Sequence, residues 1–224
     1  MKNKIITIVF GVALFFFFIT LSIAMPIYCR FFYYLHIEPL NLVERTGFSY
    51  EQITTAYNQV LNYLTLPGFE FGTGELLYSA EGKAHFVDCK GLFDLNFWVL
   101  LISAVTCIVI AILQKKKVVE LVKPKGFFVG FWSAVSAIGL PLIIGGLASI
   151  NFSKAFEIFH KIFFPGKDNW VFNPYEDQII SILPQTFFMN CAIFIGVTLL
   201  VLCAVTIIIS CVKRKKELQN NIDK

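Results

Sequence analysis

The sequence has little charge: Asp, Glu, Lys and Arg make up 15% of its 224 residues, against 57% hydrophobic residues and a mean hydropathy of +0.70. That balance excludes an ordinary soluble domain and makes lipid the expected solvent. Four runs, residues 5–28, 96–114, 126–150 and 186–212, contain no Asp, Glu, Lys or Arg at all. Intramembrane charges usually mark ion or proton pathways, so their absence ranks a transporter subunit last. CxxC, HExxH, GxSxG, a Gly-rich phosphate loop and nucleic-acid motifs are also missing. Redox dithiol chemistry, a zincin site, a nucleophile elbow and nucleic-acid binding are disfavoured accordingly. There is no internal repeat and no low-complexity segment.

What is present starts with those runs, since about 20 helical residues cross a hydrocarbon core. They predict a membrane all-α protein of four transmembrane helices. The first run follows Lys2 and Lys4 but is too long for a secretory signal, and no small-x-small site follows it. Tyr28 before Cys29 does not fit a lipobox, so the chain itself is not expected to be a lipoprotein. Pro141 in the third run, beside Gly139, Gly145 and Gly146, predicts a kink and close helix contact there.

Twelve of the 19 Lys and Arg fall in the amino terminus, residues 115–125 and residues 213–224, and only three of the 15 acidic residues do. The basic side is expected to be cytoplasmic, which puts both termini inside. The predicted order is span 1–28, outer segment 29–95, span 96–114, cytoplasmic loop 115–125, span 126–150, outer segment 151–185, span 186–212 and cytoplasmic tail 213–224. The two outer segments then build a small mixed α/β extracellular cap.

Within the cap, Ser49 and Gln52 read as a capping box. Ile53, Ala56, Tyr57, Val60, Leu61 and Leu64 repeat at helical spacing until Pro67-Gly68. Glycines 72, 74 and 82, with apolar pairs between them, predict short strands or hairpins over residues 69–87. A second helix, with Ser153 as cap, carries Ala155, Phe156, Phe159, Ile162 and Phe163 up to Pro165-Gly166.

All three histidines, 36, 85 and 160, fall in the outer segments. Histidine is the natural proton shuttle near neutral pH, although a loop imidazole is more often simply packed or solvated. His36, just beyond the first span, reads as an interfacial ring. His85 with Asp88, and His160 with Glu157, could ligate a metal, but without a ligand motif no metal or cofactor is expected. Cys29 and Cys89 are the only cysteines outside the runs, and the sequence leaves both a bridge and two free thiols open. The 25 phenylalanines, many outside the runs, favour a lipid-like ligand.

Several of these pieces, in order, resemble one family. They are Lys83-Ala84-His85-Phe86 with Asp88; Phe156-Glu157-Ile158-Phe159-His160 with Phe163, Phe164 and Trp170; Asp177; and Ile182-Leu183-Pro184-Gln185-Thr186-Phe187-Phe188. Together with four spans, they resemble the lipoprotein intramolecular transacylases of Gram-positive bacteria. Gln185 departs from the acidic residue that the resemblance calls for.

The resemblance implies a bacterial cell-membrane enzyme with its site at the extracellular face. Its substrate is a diacylated lipoprotein, and it moves the sn-2 acyl chain from glycerol oxygen to the terminal cysteine's α-amine. By motif, the family's catalytic pair falls on His85 and His160. One imidazole would take the amine's proton, and the other would hold the oxyanion and protonate the leaving oxygen. Attack closes a ring of about eight atoms, which is costly unless the substrate is held folded. Phe86, Phe156, Phe159, Phe163 and Trp170 are candidate walls, with Asp88, Glu157 and Asp177 as supporting carboxylates. Asp88 is expected to orient His85 as the base. The rivals are a membrane-surface lipid hydrolase and a non-enzymatic tetraspan scaffold.

Overall fold

A computed structural model of the chain describes residues 2–222; Met1, Asp223 and Lys224, at the ends of the first and last predicted segments, lie outside the described residues. The order is α1 Lys2–Tyr28, α2 Arg30–Ile37, α3 Leu42–Thr46, α4 Tyr50–Thr65, α5 Ala80–Lys115, a 3-10 turn Pro124–Gly126, α6 Val129–Ile150, α7 Phe152–Phe163, α8 Ile179–Ile182 and α9 Gln185–Ile222. α1, α5, α6 and α9 are long and apolar enough to cross a membrane. α5 has 36 residues, and at 1.5 Å per residue that is about 54 Å, well beyond a hydrocarbon core of about 30 Å. Its first part carries Glu81, Lys83, Asp88, Lys90 and Asp94, so 96–114 is the part suited to lipid.

The described residues contain no strand, so the α/β mix predicted for residues 29–95 and 151–185 is corrected: their regular elements are all helices. Residues 83–87 lie inside α5, and only 66–79 are irregular. Gly82 reads locally as turn punctuation but is held in a helix, for a tertiary reason described below.

The chain divides into two compact units, one of residues 1–23, 97–146 and 195–224, the other of residues 24–96 and 147–194. In the first, Phe18, Ala134, Ala137, Leu199 and Cys203 are buried together. Small residues let the backbones close in: a Cβ on Gly11 would meet Val129 Cγ2 at 2.9 Å, and Ser133 Oγ donates to the Gly11 carbonyl at 2.8 Å. A Cβ at Gly139 or Gly145 meets nothing within 4 Å, so neither of these two glycines makes the close contact predicted around Pro141.

The second unit carries the larger core. α4 begins with the Ser49–Gln52 capping box, and its whole predicted apolar face, Ile53, Ala56, Tyr57, Val60, Leu61 and Leu64, is buried. Tyr57 stacks on Tyr33 of α2 at 3.8 Å, and the Tyr33 hydroxyl donates to the Ile182 carbonyl at 2.9 Å. That bond satisfies a polar group inside the core and fixes α8 against α2. His36 packs against Phe32 and Phe187.

Candidate active site

The site lies within the second unit and is built from the start of α5, the end of α7 and the segment 164–178. Ser79 begins the placement of His85. Its Oγ accepts from the Gly82 N–H at 2.9 Å, capping α5. Asp177 holds that cap: its Oδ1 accepts from Ser79 N at 2.8 Å, and the Ser79 hydroxyl lies 2.9 and 3.0 Å from the two carboxylate oxygens. Next to it, Leu77 N donates to Gln178 Oε1 at 2.8 Å and Gln178 N to the Leu77 carbonyl at 3.0 Å. A carboxylate at a helix N-terminus also complements the helix dipole. Asp177 is therefore the anchor of the helix end that carries His85. A Cβ on Gly82 would lie 2.1 Å from Asp177 Oδ1, so only glycine leaves room for that carboxylate.

α7 places the second ring. Its cap is Asn151, whose side chain accepts from Lys154 N at 2.9 Å, rather than the predicted Ser153, which bonds Gln185 at 3.2 Å. His160 falls in the last turn, and its Nδ1 lies 2.7 Å from the Phe156 carbonyl. A carbonyl only accepts, so Nδ1 carries the proton and the neutral ring leaves Nε2 bare.

The two imidazoles come together with centroids 5.7 Å apart, and both are buried. Phe164 touches both rings, at 4.9 Å from His85 and 5.8 Å from His160. Phe172 stands edge-on to His85 at 5.4 Å, Trp170 stacks on His160 at 4.8 Å, and Phe156 lies 4.4 Å from His160.

This shell acts unequally on the two rings. Burial, reinforced by the neighbouring His160, pushes the His85 pKa down to about 4, opposed by Asp88 and Asn169. Burial also lowers the His160 pKa, but there the Phe156 carbonyl favours the charged form. Cys89, one turn after His85, places Sγ 3.3 Å from His85 Nε2. Burial pushes its thiol up to about 12, so it stays protonated.

Each of the other sequence candidates has a definite place. Phe86 is buried in the core, stacked on Phe71 at 5.2 Å and 6.0 Å from His85. Phe159 lies 5.4 Å from His160 but is largely exposed. Phe163 contacts Phe159 and is 49% exposed. Ile158, Phe159, Ile162 and Phe163 form an exposed apolar strip along α7. Asp88 makes no bond to His85; its carboxylate takes the Lys167 ammonium and the Asn169 amide at 3.0 Å, and these bonds hold its pKa low. Glu157 pairs with Lys154 and Lys161 at the surface. Cys29 and Cys89 are both free. Sequence reasoning did not single out Phe172, Cys89, Lys167 or Asn169 for this site, nor Phe164 as a wall, although Phe164 shares a helical spacing with His160.

Among the described residues no three His, Cys, Asp or Glu side chains converge as metal ligands. A cavity of about 440 Å³ belongs to the other unit, with Phe10, Gln114, Lys115, Phe128 and Lys213 on its walls and no histidine. The imidazole pair is set instead in packed aromatic rings, where the chemistry, not the size of a void, marks the site.

A profile of the family described as lipoprotein intramolecular transacylase Lit matches residues 8–188. The solved in meso structure of the membrane integral lipoprotein intramolecular transacylase of Bacillus cereus is similar, with TM-score 0.83 and 27% identity, covering 96% of this chain and 98% of that one. A form of that protein with a histidine-to-alanine substitution superposes at TM-score 0.76 with 26% identity, covering 96% of each chain. An uncharacterized protein of Aquifex aeolicus (strain VF5) is 34% identical over 73 residues, 33% of this chain and 33% of that protein. The chain thus matches about a third of the length of that curated relative.

Proposed function

This chain belongs to the lipoprotein intramolecular transacylase family and is a multi-pass membrane protein, and from that premise we propose that it moves the sn-2 acyl chain of a diacylglyceryl-cysteine lipoprotein onto that lipoprotein's own α-amine. The observation that carries this reading is a pair of buried imidazoles, 5.7 Å apart within an aromatic shell that lowers the pKa of both, His85 to about 4, while the Phe156 carbonyl opposes the shift at His160. Neighbouring titratable groups perturbed by burial in one site are a mark of acid–base chemistry.

His85, held neutral by burial, is the base. A proton on the attacking nitrogen becomes strongly acidic once the N–C bond forms, so a weak base suffices to take it. His160, whose Nδ1–H is engaged by the Phe156 carbonyl, is the ring suited to carry a second proton at Nε2. That N–H holds the oxyanion of the tetrahedral intermediate and then protonates the glycerol oxygen as the C–O bond breaks. The proton on His85 returns to His160, so one amide and one free hydroxyl replace one amine and one ester. Phe164, Trp170 and Phe172 exclude water from this exchange, which favours the amine over hydrolysis.

The excess of Lys and Arg in residues 115–125 and 213–224 supports termini on the cytoplasmic side and a site facing outward. The test is purified protein incubated with a synthetic diacylated lipopeptide, followed by tandem mass spectrometry. Transfer conserves mass and moves one acyl chain to nitrogen, and either His85→Ala or His160→Ala abolishes it. Full activity in both variants, or release of free fatty acid as the main product, overturns the proposal.

A further inference from the structure

The base at His85 needs a bare Nε2, and the helix that carries it offers no carbonyl bond to its Nδ1, unlike the arrangement at His160. His85 Nδ1 is buried and makes no hydrogen bond of regular geometry. The side-chain oxygen of Asn169 is buried and likewise lacks one. Asp88, which holds Asn169, follows His85 by three residues on α5, so the amide is tied to the helix face that carries the ring, where it favours the protonated imidazole as an acceptor does. Its orientation is set from the far side, because Asn169 Nδ2 donates to Asp88 Oδ2 at 3.0 Å, which turns Oδ1 away from that carboxylate. Asp88 is itself pinned by the Lys167 ammonium. On the opposite edge of the imidazole, the protonated Cys89 thiol faces Nε2 at 3.3 Å, a donor against the nitrogen that has to stay bare.

We propose that Asn169 is a positioning residue for the reaction: its amide oxygen, aimed by Asp88 and Lys167, accepts from His85 Nδ1–H and fixes the tautomer that leaves Nε2 free to take the substrate's proton. This rests on the transacylase reading for its consequence, but not for its geometry. Asp88 thereby acts on His85 through an amide rather than directly. A carboxylate in direct contact would hold a charge in an apolar shell; the amide orients the ring without adding one.

The test uses full-length protein with 15N-labelled histidine, the ring signals assigned through His36→Asn and His160→Gln variants. Two-bond 1H–15N spectra of the wild type give a protonated Nδ1 and a bare Nε2 at His85. In Asn169→Leu, of similar size but without an acceptor, the His85 signal moves toward the Nε2–H tautomer. On a diacylated lipopeptide kcat falls 10- to 100-fold while KM stays within twofold. Asn169→Asp restores an acceptor: it keeps the Nδ1–H tautomer, recovers part of kcat and moves the acid limb of the pH profile upward. An unchanged tautomer with kcat within twofold in Asn169→Leu overturns the proposal. Should that variant not fold, an acid limb in Asn169→Asp that coincides with the wild type overturns it equally. Wild-type protein inert toward the lipopeptide sinks the transacylase reading alone, since the tautomer is read without turnover.

Discussion

Gly82→Ala tests how the fold aims its first imidazole. The added methyl would lie 2.1 Å from Asp177 Oδ1, 2.8 Å from Asp177 Cγ and 3.2 Å from Phe172 Cε1. An ordinary carbon–oxygen contact is more than 1 Å longer than the first of these, so the carboxylate has to leave. It then gives up the bonds from Ser79 N and Oγ, at 2.8 and 2.9 Å. Bonds to a charged group contribute roughly 1.5–3 kcal/mol each, part of which water restores, so the loss is about 2–4 kcal/mol. Alanine's advantage over glycine in a helix offsets about 1 kcal/mol, leaving a net destabilisation of about 1–3 kcal/mol. The assay is equilibrium unfolding of the purified protein in detergent, run as a double-mutant cycle with Asp177→Ala. In the Asp177→Ala background the clash with the carboxylate is gone and alanine's helical advantage remains, so the substitution becomes neutral to stabilising by about 1 kcal/mol. A cost for Gly82→Ala that is the same in both backgrounds would falsify the account.

Two further outcomes follow from the shell around the rings. His85 is 5% exposed with a pKa of about 4, whereas an unfolded histidine titrates near 6.5. As pH falls the unfolded chain binds the proton first, so stability is constant above about 6.5 and declines down to about 4, by a total of about 3 kcal/mol. Replacing the ring by His85→Gln reduces the slope of unfolding free energy across that window, leaving the part that His160 contributes, and an unchanged slope contradicts a neutral buried ring. Cys89→Ser sets a stronger donor against His85 Nε2 and slows lipopeptide turnover several-fold, whereas Cys89→Ala leaves it within twofold of wild type; the reverse order would remove the thiol from the site.

Much of the architecture was legible because it rests on local chemistry. The Ser49–Gln52 box and the apolar face of α4 are written in spacing and cap residues alone, and both form as read. The region 69–87 was not legible, because Gly82 looks like a turn signal while its real constraint is a carboxylate 95 residues further along the chain. Residues such as Asn169 and Phe172 lie in an irregular segment whose side chains are aimed by tertiary contacts, and no periodicity announces them. Phe159 and Phe163 share a helix with His160 and so read as neighbours of its ring, but the turn of the helix gives each a different outlook. The histidine pair itself was read through family motifs; composition and spacing alone would have left both rings as ordinary imidazoles.

The acceptor that locks His160 is the main-chain carbonyl of Phe156, an atom every residue type possesses. No codon change at position 156 can delete it; only breaking the helix would. Asp177, by contrast, anchors the α5 end through a carboxylate that one nucleotide can erase. Random mutagenesis should therefore find the orientation of the two rings unequally fragile, with lesions that misalign His85 scattered over several distant side chains and those that misalign His160 confined to helix breakers within α7.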